Sequence, residues 1–268
     1  MAMGFLAFGL LSFPSQAQRS SANRPLCASL DAKELNIWTD QLQVHPGQFL
    51  QAALKPLHQA LNEDLFKLNK EARQQLLTHF RQYFHLAPWM NQLPSSLQNS
   101  TTAQSYTQLW LFKKYLGTVR KSAFRAEVIE FSLRGRGLPE ERRSRVLDFP
   151  AAPQLAAVRP YSCQSASDRA MYDCSRSLYL IEAYLGADLL CSAQHDPNVI
   201  HFKYLVAASN RGLQIVDVHR GQTSLFKQSL MDLQKLGQSA RRPELLRWLS
   251  HVTFTPESQL SDWGLTQD

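Results

Sequence analysis

Apolar residues recur every three or four positions through the first half of the chain and alternate with polar ones through much of the second. Leu35, Trp38 and Leu42 fall at helical spacing in the segment Asp31 to Leu42. Pro46 opens a second helical segment, in which Phe49, Leu50, Ala53, Leu54, Leu57 and Leu61 form one stripe. Pro56 lies inside that stripe and is expected to kink or split the helix. Asn69 is a good N-cap for a third helix, which stops before Pro88. It sets Leu76, Leu77, Phe80, Tyr83 and Phe84 on one face, while Lys70, Arg73, Gln74 and Arg81 point away. The stretch Pro94 to Ser105, rich in Ser, Asn, Gln and Thr, reads as a loop. A fourth helix follows from about Ala103 to Tyr115, ended by Gly117.

Beyond Gly117 the period changes. Ala123 to Leu133 alternates, with Phe124, Ala126, Val128 and Glu130 on one face and Arg125, Glu127, Ile129 and Phe131 on the other, which predicts a strand. A polar turn with Gly135, Gly137 and Pro139 leads to a shorter strand, Arg145 to Phe149. Ser165 to Cys191 is ambiguous: Met171, Leu178, Ile181, Leu185 and Leu189 suit a helix, while Leu178 to Tyr184 suits a strand. The clearest hairpin is Val199 to Ala207, a turn over Ser209 to Gly212, and a return from Leu213 to Val218. An amphipathic helix from Ser224 to Leu236, a last helix from Pro243 to Leu249 and a polar tail over 256–268 close the chain. Helices followed by an antiparallel strand block predict an α+β fold: N-terminal helices packed on a curved, mostly antiparallel sheet. One domain is expected over 19–255, helical over 30–117 and sheet-rich over 118–240.

Residues 1–18 stand apart from this pattern. Gly4 to Phe13 is apolar except for Ser12, and Ser15 and Ala17 occupy the small-residue positions of a cleavage site. The segment reads as a signal peptide, although no Lys or Arg precedes the apolar run. Export agrees with the four cysteines, Cys27, Cys163, Cys174 and Cys191, which suit an oxidising compartment and are the disulfide candidates. Three pairings are open, and the 29-residue stretch from Cys163 to Cys191 suggests a local staple. The net charge of +7 favours acidic partners such as phospholipid headgroups, lipopolysaccharide or nucleic acid. The densest basic cluster, Arg134 to Arg145, reads as a solvated loop.

Motifs that specify a reaction are absent: there is no G-x-S-x-G, P-loop, G-x-G-x-x-G or H-E-x-x-H. His79 and His85 fall on nearly opposite sides of their helix, and His195 with Asp196 reads as a turn. Asp217, in the hairpin's return strand, suits either a surface position or a general base in a concave sheet; the latter needs a second polar residue converging on it. Phe202, Tyr204 and Val206 alternate on one face of the hairpin, where Phe131, Ile129, Tyr179 and Tyr184 are candidates to join them. Such a face builds an ordinary packed core, or encloses an apolar cavity for a lipid-like ligand.

The stretch Val199 to Leu236 resembles the C-terminal part of the MlaC-type periplasmic phospholipid-binding (toluene-tolerance) family. Gly212, Asp217, Val218, Ser224 and Leu225 match its return strand and Ser-Leu linker in residue and spacing, and Lys70 to Phe84 is similar to one of its helices. Leu213 stands where the family has Trp, Gly221-Gln222 where it has Glu-Gly, and Ser229-Leu230 where it has Tyr-Arg. The resemblance implies an NTF2-like fold and a non-enzymatic periplasmic carrier of a phospholipid or similar amphiphile, working between membrane-anchored complexes. It requires no cofactor, metal or nucleic acid. The expected cavity is lined by Phe131, Phe202, Tyr204, Val206 and Ile215. The alternative is a periplasmic interaction module of a secretion or envelope assembly, with the same fold, a filled core and a basic outer face.

Overall fold

In the computed structural model of the chain, which describes residues 37–38, 43–61, 68–93, 95–133, 154–184, 201–209, 212–237 and 250, the Asn69 side chain accepts the Ala72 amide at 2.8 Å. It thereby starts the helix expected there. Short strands β1 (Ile37–Trp38) and β2 (Gln43–Val44) pair antiparallel, so Trp38, expected in a helix, lies in a strand, while the rest of the segment Asp31 to Leu42 apart from Ile37 lies outside the described residues. Helix α1 (Pro46–Gln59) has Pro46 in its first turn and passes through Pro56 without splitting. It is followed by α2 (Lys70–Tyr83), the short α3 (Ala87–Met90) and α4 (Ser95–Gln98), and then α5 (Thr101–Leu133). Along α2, Leu77 and Phe80 are buried as expected, but so is Arg73.

Helix α5 overturns two expectations. It continues through Gly117, and it absorbs Ala123 to Leu133, which the alternation assigns to a strand. Phe124, Val128 and Phe131 also fall at i, i+4 and i+7, so the segment fits the helical period as well as the alternating one. A glycine in a helix interior costs about 1 kcal/mol relative to alanine, which the flanking buried residues Phe112, Tyr115, Leu116 and Val119 outweigh. The expected loop over Pro94 to Ser105 likewise holds α4 and the first turn of α5. Among the described residues the first strand of the large sheet starts at Gln154.

Among the described residues the sheet has five strands, β3 (Gln154–Tyr161), β4 (Leu178–Tyr184), β5 (His201–Ser209), β6 (Gly212–Arg220) and β7 (Thr223–Ser224). They pair antiparallel in sequence order. Pro160 sits in β3 at the end of that order, where a missing amide is tolerated. Within the ambiguous span, residues 165–184 hold helix α6 (Ala166–Met171), begun by a Ser165–Asp168 capping box, and strand β4; 185–191 lie outside the described residues. Gly221, at φ 62°, makes the tight turn from β6 to β7, and helix α7 (Leu225–Gly237) follows with Ser224 Oγ accepting the Lys227 amide.

Cross-strand partners fix the two faces of the sheet. Ile181, Tyr204 and Val218 lie in one row and Tyr179, Val206 and Ile215 in the next. Tyr204 reaches Tyr115 of α5, so this face meets the helices. Helices α1, α2 and α7 contact the sheet, and Trp110 of α5 donates to the Ser229 carbonyl of α7 at 3.0 Å. One hydrophobic core runs from Phe49 on α1 to Leu233 on α7. A bulge sets Val216 between Ile215 and Asp217 without a partner on β5. The free edge of β6 beside it is covered by the chain after α2. Phe84 bridges to Ile215, the His85 amide donates to the Ile215 carbonyl at 2.8 Å, and the Trp89 indole donates to the Val216 carbonyl at 2.6 Å.

The expected signal segment, the strand Arg145 to Phe149, the basic cluster Arg134 to Arg145, His195, Asp196, the helix Pro243 to Leu249 and the polar tail lie outside the described residues. Among the described residues no helix is long and apolar enough to cross a membrane.

Candidate functional site

Four of the five residues expected to line a cavity come together. Phe202, Tyr204, Val206 and Ile215 are all fully buried on the helix-facing side of β5 and β6, with the Phe202 and Tyr204 rings 6.4 Å apart. Phe131 falls in α5 instead of a strand, and its side chain lies outside the described residues. Facing the sheet, the helices supply a continuous aromatic layer. Phe80 stacks on Phe84 at 4.1 Å and meets Phe112 at 5.2 Å, and Phe226 of α7 lies 6.1 Å from Phe84.

A polar chain crosses this apolar layer. His58 Nε2 and the Tyr115 hydroxyl are 2.9 Å apart, and the Tyr115 and Tyr204 hydroxyls are 3.5 Å apart. All three residues are buried. Burial lowers the His58 pKa to about 4, which keeps the imidazole neutral at physiological pH. Burial also raises both tyrosine pKa values, so both phenols keep their protons. Sequence reading singled out Tyr204 and missed the other two. Their signal was present: His58 follows Leu54 by four residues and precedes Leu61 by three, inside the apolar stripe of α1.

The opposite face of the sheet carries the charge. Asp217 is fully buried, opposite Leu205. Its Oδ2 accepts the Tyr172 hydroxyl at 2.6 Å and its Oδ1 accepts the Val218 amide at 2.7 Å. His219 Nε2 lies 3.0 Å from Oδ2, out of hydrogen-bond alignment. Polar residues thus do converge on Asp217, and Tyr172 arrives from a segment that the sequence left without a role. One row away, Glu182 pairs with Arg159 and has His201 Nε2 at 3.0 Å from its Oε2. Burial, then Lys203 and Arg159, lowers the His201 pKa.

Tyr172 belongs to a loop stapled by the Cys163–Cys174 disulfide, one of the pairings the spacing leaves open. Cys27 and Cys191 lie outside the described residues. Between this loop and α3 lies a cleft of about 280 Å³, lined by His85, Asn91, Gln92, Met171, Tyr172 and Asp173 among others. None of the expected cavity residues lines it. Among the described residues no cluster of His, Cys, Asp or Glu could hold a metal ion. Comparison of the chain with family models, curated proteins and solved structures finds no match.

Proposed function

We propose that the chain is an exported, non-enzymatic carrier of a phospholipid or similar amphiphile, held between the helices and the sheet of an NTF2-like fold. One observation carries the reading: Phe202, Tyr204, Val206 and Ile215 form a single uncharged patch of sheet, roofed by rings from α2, α5 and α7. An aromatic and aliphatic layer of this kind offers acyl chains the same kind of dispersion contact that it offers side chains. Burying each CH2 contributes about 0.8 kcal/mol, so two acyl chains supply ample driving force without covalent chemistry. The order of helices, antiparallel hairpin, Ser224-Leu225 linker and α7 is also the order that the MlaC-type resemblance implies.

Native mass spectrometry of the protein from a mild periplasmic preparation, with organic extraction of bound material, tests the reading. A stoichiometric lipid is the expected result. A clean protein mass in repeated preparations would overturn it in favour of the interaction module. That second reading has its own observation: the rings of Phe80, Phe84, Phe112 and Phe226 already pack against one another, as a filled core does.

A further inference from the structure

The His58–Tyr115–Tyr204 chain has one well-made link and one slack end. The 2.9 Å separation of His58 Nε2 and Tyr115 Oη is a good hydrogen bond. The 3.5 Å between the two tyrosine hydroxyls is well beyond the usual 2.5 to 3.0 Å for O–H···O, so little bonding energy is realised there. Among the described residues the Tyr204 hydroxyl has no other polar contact. Its surroundings are apolar: Phe202 two residues back, and Ile181 and Val218 beside it across the strands. A buried hydroxyl with hydrogen-bonding capacity unspent is costly, and a suitably placed ligand oxygen recovers that cost.

Resting on the carrier reading, we propose that the Tyr204 hydroxyl hydrogen-bonds the carbonyl oxygen of an acyl ester, so that the ester group is taken inside the protein together with its chain. The ligand oxygen is neutral for a physical reason. His58 and both phenols are uncharged at neutral pH, and none of them offers a counter-charge to a carboxylate, whose burial is far more costly than that of a carbonyl. The Tyr115 hydroxyl, held by its link to His58, lies beside that of Tyr204. The site therefore discriminates an acyl ester from a hydrocarbon of equal length, which the surrounding Phe and Val side chains cannot do.

The test is uptake of hexadecane and of methyl palmitate, each radiolabelled and delivered from cyclodextrin, by the full-length chain and by its Tyr204→Phe variant. The expected result is a loss of about tenfold in ester affinity in Tyr204→Phe, with hexadecane uptake unchanged. Equal uptake of the ester by both proteins would overturn the inference while leaving the carrier reading standing. Uptake of neither ligand by the wild type would overturn the carrier reading and this inference with it. A second measurement does not depend on the variant. The infrared carbonyl band of 13C-labelled methyl palmitate bound to the wild type is expected at the lower frequency of a hydrogen-bonded ester, and a band at the free-ester frequency would overturn the assignment.

Discussion

The Tyr172 hydroxyl donates to Asp217 Oδ2 at 2.6 Å, tying the disulfide loop to the bulged middle of β6. Burial, and then the Asp217 carboxylate, raise the tyrosine pKa, so Tyr172 remains a donor across the accessible pH range. Tyr172→Phe strips a fully buried carboxylate of one of its donors. A loss of about 1–3 kcal/mol in unfolding free energy is expected, read from urea denaturation. A change below a few tenths would show that the bond contributes nothing net.

His58 sets a pH dependence whose sign follows from its environment. Its folded pKa is about 4, against 6.5 for the ordinary imidazole. The unfolded chain therefore binds the extra proton first, and stability that is complete above pH 6.5 is lost as pH falls toward 4. The shift corresponds to roughly 3 kcal/mol in total. His58→Gln should flatten the dependence of the urea midpoint on pH between 6.5 and 4. His85 and His201 carry lowered pKa values too, so some slope of the same sign remains. An unchanged slope in His58→Gln would show that the imidazole is not desolvated.

The Cys163–Cys174 disulfide closes a loop with a sequence separation of 11. Non-reducing peptide mapping should recover these two cysteines in one linked peptide. The double variant Cys163→Ser, Cys174→Ser should lower stability by about 3 kcal/mol on the chain-entropy estimate. Recovery of Cys163 or Cys174 linked to Cys27 or Cys191 would refute the pairing.

Val206 is fully buried on the helix-facing side of β5, opposite Ile215. Val206→Trp adds volume where the carrier reading puts acyl chains. Loss of copurifying lipid is expected, with a stability change of about 1–3 kcal/mol, typical of an overpacked core. Lipid recovered in wild-type amount would remove Val206 from the site.

How much of this was legible in the chain depends on whether a residue's partner is near in sequence. The hairpin and α2 were readable because alternation and an Asn69 cap are local signals. The 33-residue α5 was not. Its second half fits both periods, so alternation alone does not decide between them. Strand β3, holding Pro160 and Arg159, carries no local strand signal strong enough to read and exists through its pairing with β4. The site divides in the same way. Tyr204, Val206 and Ile215 follow from alternation, whereas Tyr115 meets Tyr204 from a helix 89 residues away in the chain, and His58 meets Tyr115 from another helix 57 residues away. Tyr172, 45 residues from Asp217, is likewise invisible until the fold is known.

The cover over β6 has a further consequence. With the Ile215 and Val216 carbonyls accepting the His85 amide and the Trp89 indole, this edge has no ladder to offer an incoming strand at the bulge. β-Augmentation, the cheapest way for an exposed sheet to recruit a peptide or polymerise with copies of itself, is closed there. Whatever docks at this end of the sheet must read side chains. Recognition there can therefore be altered by point substitution without disturbing the backbone that supports it.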